Sequence, residues 1–190
     1  MGLTRTERDF QRALLTLLAE QSFMSLSVEQ ICNETMMHRS SFYRYFNDKD
    51  DLLKHTVNTK ITSLIDASDN DEDEIENVVD WLVNNKDILR NLATGRTNSS
   101  LYATLVNILS DIMLNRYDDN VDDRLVHAIS LFDNHETGAY MLSSAVIGAF
   151  YWWRSQDYVT SKEVILTHAH NFIDWLDQQP EMGGHHHEKS

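Results

Sequence analysis

The chain has almost none of the residues that break helices. Pro180 is its one proline, and it has six glycines in 190 residues. Helix interiors exclude proline and are weakened by glycine, so this scarcity predicts an all-α protein. Cys32 is the one cysteine, which excludes a disulfide within the chain and any cysteine-based zinc site. No apolar run approaches the roughly 20 residues of a membrane span, and the opening MGLTRTERDF is too polar for a secretory signal. The expectation is a cytoplasmic protein in a reducing setting, with no membrane partner. Catalytic signatures are also missing. There is no Ser-His-Asp order, no glycine-rich phosphate loop and no HExxH, and the many carboxylates form no identifiable acid/base pair. Neither an enzyme nor a cofactor is expected.

What is present divides the chain in two. Forty-two per cent of the residues are apolar, enough for a core. The net charge of −14 is the wrong sign for a nucleic-acid binder, but it is unevenly placed. Residues 1–60 carry eight Lys/Arg and eight Asp/Glu, whereas residues 61–190 carry eight and twenty-two. A neutral N-terminal part therefore precedes an acidic remainder, which fits two jobs on one polypeptide.

Thr4 and Glu7 have capping-box spacing and open a helix over 5–20, with Phe10, Leu14, Leu17 and Leu18 on one face. Ser27 and Gln30 form a second box, opening a short helix that ends near Glu34. Thr35 to Met37 are a turn, and 38–46 read as a third helix. Asn47 or Asp48 caps a fourth over about 48–67. Asp66 to Glu76 is acidic and reads as a solvated linker merging into the acid-rich start of a helix. It lacks the ligand spacing of a calcium loop. Further helical segments are expected at 75–93, stopped by Gly95, and at 101–117, 121–132, 135–154 and 161–178. Thr160 and Glu163 form a third capping box. The domain boundaries expected are 1–48, 49–180 and a frayed, flexible tail at 181–190.

Two short helices joined by a three-residue break, the second rich in cationic and hydroxyl side chains, have the layout of a DNA-reading helix-turn-helix. Ile31 and Met37 are expected inside, with Phe42 and Tyr45 anchoring the second helix and Cys32 small where the helices cross. The outward side then carries His38, Arg39, Ser40, Ser41 and Arg44 with the Tyr43 hydroxyl. Arginine bonds guanine bidentately and serine serves either groove-edge role. Ser27, at a helix start whose amides suit a phosphate, together with Tyr43 and Lys49, is placed to hold DNA backbone.

At these residues the chain resembles the TetR family of bacterial transcription regulators. SFYRYFNDKDDLL is similar to that family's third-helix signature, with Phe23, Ser27, Val28 and Ile31 matching the part before it, and the resemblance covers about residues 8–55. One position departs: the family usually has glycine at the turn, where this chain has Met36. Positive φ at a non-glycine costs roughly 1 kcal/mol.

The resemblance implies an all-α homodimer. Its N-terminal three-helix helix-turn-helix domain would bind double-stranded operator DNA, and its C-terminal helical domain would dimerise and hold an unknown small-molecule effector. Two recognition helices would sit about one DNA turn apart, roughly 34–36 Å. The function implied is a sequence-specific transcriptional regulator, a repressor released by its effector. The alternative is a co-activator or protein-interaction module with a degenerate helix-turn-helix.

GAFYWWRSQDYVTSKEVI, Gly148 to Ile165, resembles the junction of the last two helices in one TetR subgroup. The implied dimer face comprises Met141, Ala145, Ala149, Ile165, Phe172, Ile173 and Leu176; ordinary core is the plainer reading of any one of them. Trp81, Tyr102, His127, Tyr140 and Trp152 are candidates for an aromatic-lined effector pocket, although aromatics at helical spacing also read as core. The histidines, including His185 to His187, are scattered, and no metal site is expected.

Overall fold

Local capping sets the first two helices where the spacing predicts them. The computed structural model describes residues 3–68, 71–93, 98–119, 121 and 124–179. The Thr4 hydroxyl accepts the Glu7 amide and the Glu7 carboxylate reaches back to the Thr4 amide, opening α1 (Arg5–Glu20). The Thr4 hydroxyl, donating to that carboxylate at 2.7 Å, and then the Thr4 amide lower the pKa of the Glu7 carboxyl. Ser27 and Gln30 repeat the arrangement at α2 (Val28–Glu34). Between them lies a single 3-10 turn, Phe23–Ser25. Then follow α3 (Arg39–Phe42), α4 (Lys49–Ile65), α5 (Asp71–Asn84), α6 (Lys86–Ala93), α7 (Asn98–Asp118), α8 (Arg124–Ser130), α9 (His135–Ser155) and α10 (Lys162–Asp177). No strand occurs among the described residues. None of their helices is long and apolar enough to cross a membrane. The expected stop at Gly95 and the 181–190 tail lie outside the described residues.

Three elements differ from the sequence expectation. The third helix covers Arg39–Phe42 and then tightens, with the Tyr45 amide bonding back to Phe42 rather than Ser41. The expected helix over 75–93 is two helices broken at Asn85, whose side-chain amide donates to the Trp81 carbonyl. Such back-bonding competes with a continuous helical ladder. The third capping box does not form: α10 begins after Ser161, not Thr160. The Thr160 carbonyl instead accepts the indole N–H of Trp153 at 2.8 Å.

The chain divides into two compact units. One is Met1–Ala67 with Asn77–Thr104, the other Ser68–Glu76 with Leu105–Ser190. The first therefore takes in α4 and α6 as well as the residues that sequence assigns to DNA binding. Its core is built from Phe10, Leu14, Leu18, Ile31, Phe42, Phe46 and Leu52, with Ile88 of α6 joining it. The Asn91 side-chain amide donates to the Leu18 carbonyl at 2.9 Å, satisfying an acceptor in the last turn of α1.

The second unit packs Met113, Ala128, Ile129, Ala139, Leu142 and Leu176 together. The acidic tract is not wholly solvated there, since Glu74 pairs with Arg116 at 2.9 Å and Glu76 with Lys162 at 3.0 Å. Gly138 explains itself by space: a Cβ there would stand 2.7 Å from the Phe132 ring.

Candidate nucleic-acid interface

The helix-turn-helix is held from below by aromatic packing. Phe10 of α1 meets Phe42 edge-on at 5.4 Å between ring centroids and Phe46 at 6.1 Å. Phe10 and Phe42 are fully buried. With Phe42 turned inward, Arg39 and Ser40 of α3 are exposed and Ser41 is half-buried, and His38 before the helix and Tyr43 and Arg44 after it are exposed as well. Ile31 and Cys32 are buried, and Met37 and Tyr45 pack against the same core. Burial pushes the Cys32 thiol pKa up, so it remains an unreactive thiol.

Arg39 and Tyr43 lie one helical turn apart and are already engaged. The guanidinium donates to the Tyr43 hydroxyl at 3.3 Å and stands 5.9 Å from the ring centroid. The hydrogen bond to Tyr43 raises the Arg39 pKa further, keeping it cationic. The pair presents a planar donor fork and a hydroxyl on one exposed face, suited to a base edge and a neighbouring phosphate. Ser27 is exposed, but its hydroxyl is spent in the capping box, donating to Gln30 Oε1 at 3.0 Å and accepting the Gln30 amide at 3.2 Å.

Lys49 departs from the expectation that it grips DNA backbone. Its ammonium turns inward, donating to the carbonyls of Phe23 at 2.9 Å and Leu26 at 2.8 Å, although the Phe23 carbonyl already accepts the Leu26 amide in the 3-10 turn.

The turn itself closes as a Schellman motif. The Met37 amide bonds to the Cys32 carbonyl at 2.9 Å and the Met36 amide to the Asn33 carbonyl at 3.1 Å. This geometry puts Met36 in the left-handed region, φ 53°, with its side chain 94% exposed. No packing compensates the strain. Met36→Gly is therefore expected to raise the melting temperature of the 190-residue chain by roughly 2–4 °C, corresponding to about 1 kcal/mol. A calorimetric scan showing a lower midpoint would overturn this. Asp157 and Tyr158 repeat the motif after α9: the Tyr158 amide reaches the Trp153 carbonyl, and the two rings meet edge-on at 5.2 Å.

The other predicted residues fall differently. Trp81 and Tyr102 belong to the first unit, and His127, Tyr140 and Trp152 to the second. Trp81 lies 5.8 Å from the Lys60 ammonium of α4, while Tyr140 and Trp152 are 49% and 54% exposed. On α9, Met141, Ala145 and Ala149 are exposed at one helical face together with Trp152. On α10, Ile165 and Ile173 are half-buried and Phe172 is exposed.

Leu176 is a correction: it is 7% exposed and sits in the second unit's core, so it is not available to a partner. The open face of α10 is instead Val164, His168, Phe172 and Trp175, with the last two rings stacked at 6.3 Å. Their spacing of four, four and three was the available signal.

Residues 12–56 match the family described as "Bacterial regulatory proteins, tetR family". A solved protein titled "Dihydroxyacetone kinase operon activator DhaS" is 17% identical, with a TM-score of 0.58 over 90% of this chain and 95% of that one. The fatty acid degradation regulator FadR from Bacillus halodurans is 14% identical, with a TM-score of 0.51 over 91% and 96%. At these identities the likeness is one of fold. No curated protein matches the chain.

Proposed function

We propose that this chain, whose residues 12–56 match the tetR family of bacterial regulatory proteins, is a DNA-binding transcriptional regulator that acts as a repressor. It would act in the cytoplasm as a homodimer on double-stranded operator DNA and be released by a small molecule bound in its C-terminal helices. The observation that carries the DNA reading is the outward face of α3 and the turn after it, with Arg39, Ser40, Tyr43 and Arg44 presented on a buried aromatic base. His38 and Ser41 flank it. Dimerisation through α9 and α10 is supported by their uncovered apolar faces: Met141, Ala145, Ala149 and Trp152 on one, Val164, Phe172 and Trp175 on the other. Release by an effector rests on the family's usual organisation.

Binding to the DNA upstream of its own gene tests the reading. Arg39→Ala and Arg44→Ala are each expected to weaken it roughly 5- to 150-fold, about 1–3 kcal/mol, with circular dichroism and oligomeric mass unchanged. Wild-type affinity is expected to fall steeply as salt rises. Unchanged affinity in both variants would remove α3 as the reading element. Activation is the second reading, favoured by the similarity in fold to a protein described as an operon activator. A reporter gene that loses rather than gains expression when this gene is deleted would select it.

A further inference from the structure

Lys49 stands where the physics of an isolated helix would not put it. It is the first residue of α4, directly after the N-cap Asp48, and a cation there faces the positive end of the helix dipole. Asp50 and Asp51 beside it are the residues that this end favours. Tertiary contacts explain the exception. The ammonium donates to the carbonyls of Phe23 at 2.9 Å and Leu26 at 2.8 Å, approaches that of Met24 at 3.4 Å, and lies 4.7 Å from the centroid of the Phe23 ring. An ammonium has three protons, and here three carbonyls surround it. A phosphate would have to displace one of them.

Those carbonyls sit at a joint. Phe23 and Leu26 are buried, and Leu26 immediately precedes Ser27, the N-cap of α2. The α4 side is equally constrained. Asp48 accepts the Asp51 amide at 2.8 Å, and the Asp51 carboxylate accepts both the backbone and side-chain N–H of Asn47 at 2.9 Å.

We propose that Lys49 is a positioning residue. It ties the entry of α2, and through α2 the recognition helix packed on it, to the first turn of α4, and it makes no phosphate contact. A displacement of α4 would then be felt at the 3-10 turn and at the α2 N-terminus. The functional consequence rests on the DNA-binding reading; the mechanical one does not.

Lys49→Met keeps the aliphatic stem and removes the charge. In the free full-length protein, amide exchange is expected to accelerate about tenfold or more at Ser25 and Leu26, whose amides close the 3-10 turn on Ser22 and Phe23. Amides in the middle of α4 are expected to keep their rates. DNA affinity is expected to fall about tenfold with the slope of log affinity against log salt unchanged, and Lys49→Arg is expected to restore both quantities in part. Lys49→Gln, shorter and neutral, is the second variant, expected to move both in the same direction as Lys49→Met should that variant fail to fold. A slope shallower by about 0.9 would make Lys49 a phosphate ligand and overturn the proposal. Unchanged exchange at Ser25 and Leu26 would overturn it as well. If the wild-type chain binds no DNA, the functional reading fails, and the exchange measurement still decides the positioning role.

Discussion

Phe10→Ala is expected to destabilise the fold by about 3–5 kcal/mol, lowering the melting midpoint of the 190-residue chain by roughly 6–20 °C. The ring is fully buried and touches Phe42 and Phe46 edge-on, so its removal leaves a cavity beneath the recognition helix. Domains commonly have only about 5–15 kcal/mol of stability, so the loss is a large fraction of the whole. DNA affinity is expected to fall with it, although Phe10 lies on α1 and is fully buried. Thermal unfolding followed by calorimetry checks the first effect. A shift below about 2 °C would mean that α1 does not support α3 as the packing implies.

The second large effect concerns assembly. Ala145→Glu is expected to convert a dimer into a monomer of 22.1 kDa. Ala145 is exposed on the Met141, Ala145, Ala149 and Trp152 face, and glutamate is a good helix former, so the single chain should fold unchanged. Against a second copy the carboxylate would be buried without a partner, a cost of about 3–5 kcal/mol, or roughly 10²- to 10⁴-fold in dimer affinity. Operator binding would fall in step, since two recognition helices must act together. Light scattering that still finds a dimer, with operator affinity intact, would place the interface elsewhere than this face of α9.

The parts of the fold legible in the sequence are those set by near neighbours. Both N-terminal capping boxes bond residues three apart, so Thr4/Glu7 and Ser27/Gln30 announce their helices directly. The inward set Ile31, Phe42 and Cys32 follows from helical spacing. The positive φ of Met36 follows from the turn that the family resemblance implies. The break at Asn85 was less legible, because either course satisfies the apolar period on both sides, and one side-chain hydrogen bond decides between them.

By itself the sequence determined an all-helical chain and a helix-turn-helix with Arg39 and Arg44 outward. It also placed the acidity outside the reading domain, because each of these depends on composition or on contacts a few residues apart. Only the tertiary structure decided where Lys49 spends its charge, 23 and 26 residues back along the chain. It also decided that Leu176 turns into the core while Trp175 stays outside, and that α6 joins the unit that carries Arg39 and Arg44. A long side chain or an amphipathic helix has several partners within reach of its pattern. Which one it meets depends on how distant segments satisfy their own buried surface and backbone acceptors, and no local spacing encodes that.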